Sequence, residues 1–227
     1  MEQLLTANVA TNLYWLGRYI ERAESTLTQI LVAYDAVIDV DKNAGIELYE
    51  NFSVEIAYTN AQDFLEQAIF GDHTANLETL TGYARENAII SRNHLNTEAF
   101  GEIIALHALF QKYSNNLRET DYKLIDNALS LISEMWGEIS KTQYRKVSDY
   151  FLRLGQLVEK ADFNFRFDKN KEIGMAIVED IENILENFEA SKEVSDEQVH
   201  TKTPTEDMDF ELVINNLHSR VESLIIN

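Results

Sequence analysis

Leu13, Leu16, Ile20, Ala23, Leu27, Ile30, Tyr34 and Val37 follow one another at steps of three and four residues without a miss. A helix of about 3.6 residues per turn puts such a series on one face. The pattern predicts a helix over residues 8–40, about 50 Å long at 1.5 Å per residue. Its apolar stripe has to be covered by other helices. Thr6 or Asn8 can cap its start, since either side chain can accept a free backbone N–H. Asn43 and Gly45 supply turn chemistry after its end. The sequence holds one proline and eight glycines, too few breakers for a protein of many short strands. The expected fold class is all-α, a multi-helix bundle.

The same periodicity continues downstream. Short helices are expected at about 46–58 and 61–70. A fourth starts at Thr74 or Asn76 and runs to about His94. A fifth runs from Thr97 to Tyr113, and Thr120 can cap a sixth with Leu124, Ala128, Leu131, Met135 and Ile139 inward. A seventh, about 142–168, carries the stripe Val147, Phe151, Leu154, Val158, Ala161 and Phe165. An eighth spans about 171–189. Residues 190–209 are acidic and polar, hold the single proline, and read as a linker that cannot bury enough apolar surface to order itself. Residues 210–227 return to helical spacing, as a helix that stands apart, docks on residues 1–189, or docks on a second chain.

Two stretches resemble each other across the chain. Leu16-Gly17, Glu21, Arg22, Ala23 and Glu24 recur 138 residues later as Leu154-Gly155, Glu159, Lys160, Ala161 and Asp162. On a helical wheel Gly17, Arg18, Glu21 and Glu24 flank the first stripe, and Gly155, Gln156, Glu159 and Asp162 flank the second. The expectation is an internal repeat of two long helices. Glycine inside a helix costs about 0.5–1 kcal/mol against alanine, so its use twice at one register points to close approach of another backbone or of a ligand. Each copy also has two carboxylates at i and i+3, neighbours on one face. If the helices lie side by side, acids and cations converge. That permits a structural ion-pair lattice or a site for a peptide or amine.

Other chemistry finds little support. Bundle di-metal sites take Glu-x-x-His from two helices, but the third residue after each Glu is Glu24 or Asp162, so no metal or other cofactor is expected. The five histidines show no ligand spacing, and there is no cysteine. Phosphate loops, nucleophile elbows and zinc signatures are absent. The net charge is −20, the wrong sign for nucleic acid or anionic membrane, which select clustered Lys and Arg. No apolar run reaches the roughly 20 residues a bilayer span takes, and the first eleven residues lack a signal-peptide pattern. The expected setting is the cytoplasm.

Asn12 to Glu24 closely resembles the signature of the alpha-E domain, a bacterial family described as all-helical and named for its Glu-Arg motif. Leu154 to Asp162 looks like that family's second Glu-Arg element, with Lys160 in place of the second arginine. Ala84-Arg85-Glu86-Asn87-Ala88 is similar to its central stretch. The resemblance implies company with circularly permuted ATP-grasp amide ligases and transglutaminase-like proteins, in making or processing a peptide or amide-linked product. On this basis the candidate binding residues are Arg18, Glu21, Arg22, Glu24, Arg85, Glu86, Glu159, Lys160 and Asp162. The carboxylates would take amines or arginine; Arg22 and Arg85 would take carboxylates. The expected role is an accessory or binding component. The alternatives are an enzyme with Glu21 or Glu159 as general base, and a purely structural scaffold. Homo-oligomerisation is left open.

Overall fold

The computed structural model describes residues 5–141, 146–167, 171–191 and 210–226. Among them are nine α-helices and no strand: α1 (Ala7–Asp39), α2 (Ala44–Glu50), α3 (Ala61–Phe70), α4 (Leu77–Ile90), α5 (Thr97–Ser114), α6 (Tyr122–Ser140), α7 (Val147–Arg166), α8 (Lys171–Ser191) and α9 (Phe210–Ile226). The expected all-α bundle is what forms. Thr6 caps α1 by accepting from the Val9 amide at 3.4 Å. Asn76 caps α4 and Asn96 caps α5 in the same way, at 2.9 and 2.7 Å. The cap of α6 is Asp121, one residue beyond the expected Thr120.

Two elements are shorter than their periodicity suggests. The expected helix over 46–58 stops at Glu50, because Ser53 takes a left-handed conformation with φ 56°, which an L-residue helix cannot propagate. The Ser53 and Val54 amides fold back onto the Glu50 and Tyr49 carbonyls at 2.9 and 3.1 Å. Tyr49 is buried, and its hydroxyl donates to the Ala68 carbonyl at 2.5 Å, fixing α2 against α3. α4 ends at Ile90, and Arg92–His94 form a separate single turn of 3-10 helix. α7 starts at Val147, where the Asp149 side chain accepts from the Lys146 amide at 2.9 Å. The first residues of the expected seventh helix, 142–145, and most of the expected linker, 192–209, lie outside the described residues.

α1 is the spine of the molecule. Its stripe from Leu16 to Val37 packs with α2 to α6 in one apolar core, which includes Phe64, Leu77, Ile103, Phe110, Leu124 and Met135. Its first turns, at Ala10, Leu13 and Tyr14, join a second core with α7, α8 and α9. α9 therefore docks on the bundle, burying Leu217 and Val221. A helix buried on more than one side has to be apolar or small over more than one stripe. That is why Tyr14 and Gly17 are buried as well as Leu13 and Leu16.

α1 and α7 lie side by side in the same direction. Leu13 and Leu152 share one crevice, and Thr26 and Phe163 share another further along both helices. At their closest approach the contact is reciprocal. A Cβ on Gly17 would overlap the Leu152 carbonyl oxygen, and a Cβ on Gly155 would overlap that of Tyr14. Tyr14 and Leu152 are themselves 138 residues apart, as are Gly17 and Gly155. Each glycine receives the backbone of the helix that carries the other. The correspondence covers this crossing and its charged residues; the helices themselves are of unequal length, 33 and 20 residues.

Gly17→Ala and Gly155→Ala should each destabilise the fold by about 1–3 kcal/mol, because the obstructing atoms are backbone and cannot rotate away. Gly101→Ala and Gly137→Ala, also in helices, place the new Cβ where nothing lies within 4 Å. They should stabilise by about 0.5–1 kcal/mol. Urea unfolding of the four variants checks both signs.

Candidate functional site

The close crossing brings Arg18 and Arg22 of α1 onto Glu159 of α7. Arg18 Nε donates to Glu159 Oε2 at 2.9 Å, and Arg22 Nε donates to Oε1 at 2.5 Å. The Glu159 side chain is 2% exposed, Arg18 11% and Arg22 35%. The arginines differ in consequence. Arg18 is locked inside, its guanidinium over the Trp15 ring at 5.0 Å. Burial alone would lower its pKa, but the charge and hydrogen bond of Glu159 outweigh burial and hold it above its ordinary value. Arg22 reaches the surface.

Glu21 occupies the matching place on α1. Positions 156 and 160 face it from α7 as Arg18 and Arg22 face Glu159, but they hold Gln156 and Lys160. Glu21 is 4% exposed. Its Oε1 accepts from Ser25 Oγ at 3.1 Å. No cation lies within salt-bridge distance of it among the described residues. Burial, aided by the charge of Glu24, pushes its carboxyl above the ordinary range; Lys160, Ser25 and Gln156 offset only part of this. The two buried glutamates are thus in opposite electrostatic situations.

The remaining candidates divide. Asp162 sits beside Glu159 and accepts from Arg166 Nη2 at 3.0 and 3.3 Å. Glu24 faces α6, where Trp136 Nε1 donates to it at 3.1 Å. Arg85 and Glu86 pair with each other on α4 near His107 of α5. Neither lines the opening between α1 and α7. That opening is a cleft of about 80 Å³ bounded by Arg22, Thr26, Glu159, Asp162, Phe163 and Arg166, and by Phe52, Thr74 and Ala75 from the chain between α2 and α4. Thr26, Phe163 and Arg166 escape a reading based on the two matching motifs, although each lies a turn beyond a motif residue. Phe52, Thr74 and Ala75 carry no sequence signal, since only the tertiary fold brings them here.

On the other side of the crossing, α9 closes the structure. Tyr14 Oη and His218 Nδ1 are 3.0 Å apart, and His218 Nε2 lies 3.2 Å from Glu222. Burial pushes the Tyr14 phenol up to about 12 against the pull of Arg18. The phenol therefore stays protonated, and it shares its hydrogen bond with a histidine that burial holds below its ordinary value. Among the described residues no group of three or more His, Asp or Glu has a metal-holding arrangement.

Residues 5–214 match the model of the Alpha-E family, described as a predicted alpha-helical domain with a conserved ER motif. The chain belongs to that family. Glu21-Arg22 is the one Glu-Arg dipeptide in this Alpha-E sequence. In the fold it divides its labour: Arg22 crosses to Glu159, and Glu21 is the buried carboxyl without a salt bridge. No curated protein and no solved structure matches the chain.

Glu159→Ala leaves Arg18 buried without its counter-charge and should cost about 3–5 kcal/mol; a paired Arg18→Met, Glu159→Leu variant should recover much of that loss in a denaturant titration. Glu21 behaves in the opposite sense. With its folded pKa raised, its stabilising protonated form is complete below the unfolded value of 4.5 and is lost as pH rises through the folded value. Glu21→Gln should therefore melt higher than the parent at pH 7. The difference should shrink as pH falls towards 4.5, which thermal scans across that range will show.

Proposed function

We propose that this chain is a non-catalytic binding component of an amide-bond-forming system, working beside a circularly permuted ATP-grasp ligase and a transglutaminase-like protein. The observation that carries the binding role is the state of Glu159. It lines the cleft beside the second motif carboxylate there, Asp162, and both its oxygens are engaged by guanidinium groups. Both oxygens are committed to the two arginines that bind α1 to α7, so the carboxylate serves the packing of the helices rather than a reaction. What the cleft offers instead is fixed charge on a rigid, closely packed wall. The pathway assignment rests on the family resemblance. A cytoplasmic setting goes with it, since the ligase consumes ATP; among the described residues no helix is long and apolar enough to cross a membrane.

A catalytic reading has one observation in its favour: the raised carboxyl of Glu21 is the kind of group a general base can be made from. Glu21 does not line the cleft, however. A base has to come within hydrogen-bond reach of the proton it takes, and so the binding role is preferred.

Co-expression with a circularly permuted ATP-grasp ligase from the same genome tests the proposal. The two should co-elute in size-exclusion chromatography, and Arg22→Ala should weaken the complex or raise the ligase's KM for its acceptor. Separate elution, together with a ligase rate indifferent to the chain, would rule the role out. Product formation by the chain alone, abolished by Glu21→Gln, would move the assignment to the enzyme.

A further inference from the structure

We infer that the cleft between α1 and α7 is a receptor for a small carboxylate, held by the outer face of Arg22 and the hydroxyl of Thr26. This deepens the binding role above and rests on it. Arg22 spends Nε on Glu159, while its terminal amino groups carry no hydrogen bond among the described residues. They belong to a side chain that is 35% exposed and lines the opening. Thr26, one turn further along α1, is fully buried at the same cleft, and its hydroxyl has no hydrogen-bond partner. Buried hydroxyls are nearly always satisfied, and an orphan beside a half-committed guanidinium marks a missing acceptor. Both groups can donate, so the missing group is an acceptor, and the planar fork of arginine suits a carboxylate.

The rest of the lining narrows the class. Three guanidinium groups, those of Arg18, Arg22 and Arg166, stand against the carboxylates of Glu159 and Asp162. One negative charge balances that set, whereas a phosphate dianion would leave one negative charge in excess. Phe52, Phe163 and Ala75 supply an apolar wall, which suits a short hydrocarbon stem. The volume, about 80 Å³, suits one such head group and no extended chain. Two sources share this chemistry: a free short-chain acid, and the C-terminal carboxylate of a peptide.

Titration of the full chain, followed by the NMR signals of Thr26 and Phe163, separates these sources. The probes are propionate, N-acetylalanine, N-acetylalaninamide and inorganic phosphate, each to millimolar concentration. The acids should shift both residues and saturate; the amide should not, and phosphate should bind more weakly. Tighter binding of N-acetylalanine assigns the peptide end, and tighter binding of propionate the free acid. Thr26→Val removes the orphan hydroxyl without changing shape, so its melting temperature should hold or rise while acid affinity falls about tenfold. Arg22→Lys should weaken binding further. Equal response to acid and amide, tightest binding by phosphate, no response to any probe, or parental affinity in a folded Thr26→Val would overturn the inference. A ligase complex that forms normally while the acids fail to bind would sink this inference and leave the broader binding role standing.

Discussion

The carbonyl-to-glycine contact between α1 and α7 is the constraint on which the site depends. Helices with ordinary side chains between them pack with their axes about 8–10 Å apart. Removing the side chain from both sides of the crossing lets the backbones touch, with Gly17 under Leu152 and Gly155 under Tyr14. Arg18 lies next to Gly17, and Glu159 one turn beyond Gly155. At this spacing a buried carboxylate on one helix is reached by two guanidiniums from the other, with the Arg18 end sealed from water. The glycines cost helix propensity; what they contribute is the distance at which the charges meet.

The asymmetry between the two glutamates follows from a substitution pattern at matching positions. Where α1 presents Arg18 and Arg22, α7 presents Gln156 and Lys160. Lysine is a mobile point charge on a flexible stem, and glutamine carries no charge. Glu159 therefore becomes the centre of an ion-pair cluster, while Glu21 is left buried with its carboxyl pushed above the ordinary range. Breaking one side of a buried ion pair is expensive, so the cluster fixes the relative position of α1 and α7 more firmly than it adds net stability. That is a sound foundation for a recognition surface.

Much of this was legible in the sequence because it is local. The three-and-four spacing of Leu13 to Val37 placed α1 to within a residue at each end. The glycines at one register foretold the close backbone approach. Of the carboxylates at i and i+3, Glu159 meets the partner helix, while Glu24 turns to Trp136 of α6 and Asp162 to Arg166 of its own helix. The reading failed where contacts from elsewhere in the chain decide. Nothing in residues 46–58 announces that Ser53 turns left-handed once Tyr49 is pinned to α3. Arg85 and Glu86 sit in a recognisable stretch, yet the rotation of α4 gives them each other as partners and turns them away from the α1–α7 cleft. Thr26 carries no motif signal, because the cleft that gives its hydroxyl meaning is completed by Phe52 and Ala75 from elsewhere in the chain.

The second core decides from which side the site can be used. α9 lays His218 against Tyr14 and Trp15, with ring centroids 5.5 Å from each. This covers the Arg18 end of the crossing with stacked rings, where burial keeps the Tyr14 phenol protonated. At the opposite end the wall is built from the loop residue Phe52, the exposed Thr74 and the surface-reaching Arg22 and Arg166. One glutamate thus has a sealed back and an open front. The same ion-pair cluster that anchors two helices also turns an unused guanidinium edge outward, and it is at that edge that an anionic group can approach a molecule whose overall charge of −20 repels it elsewhere.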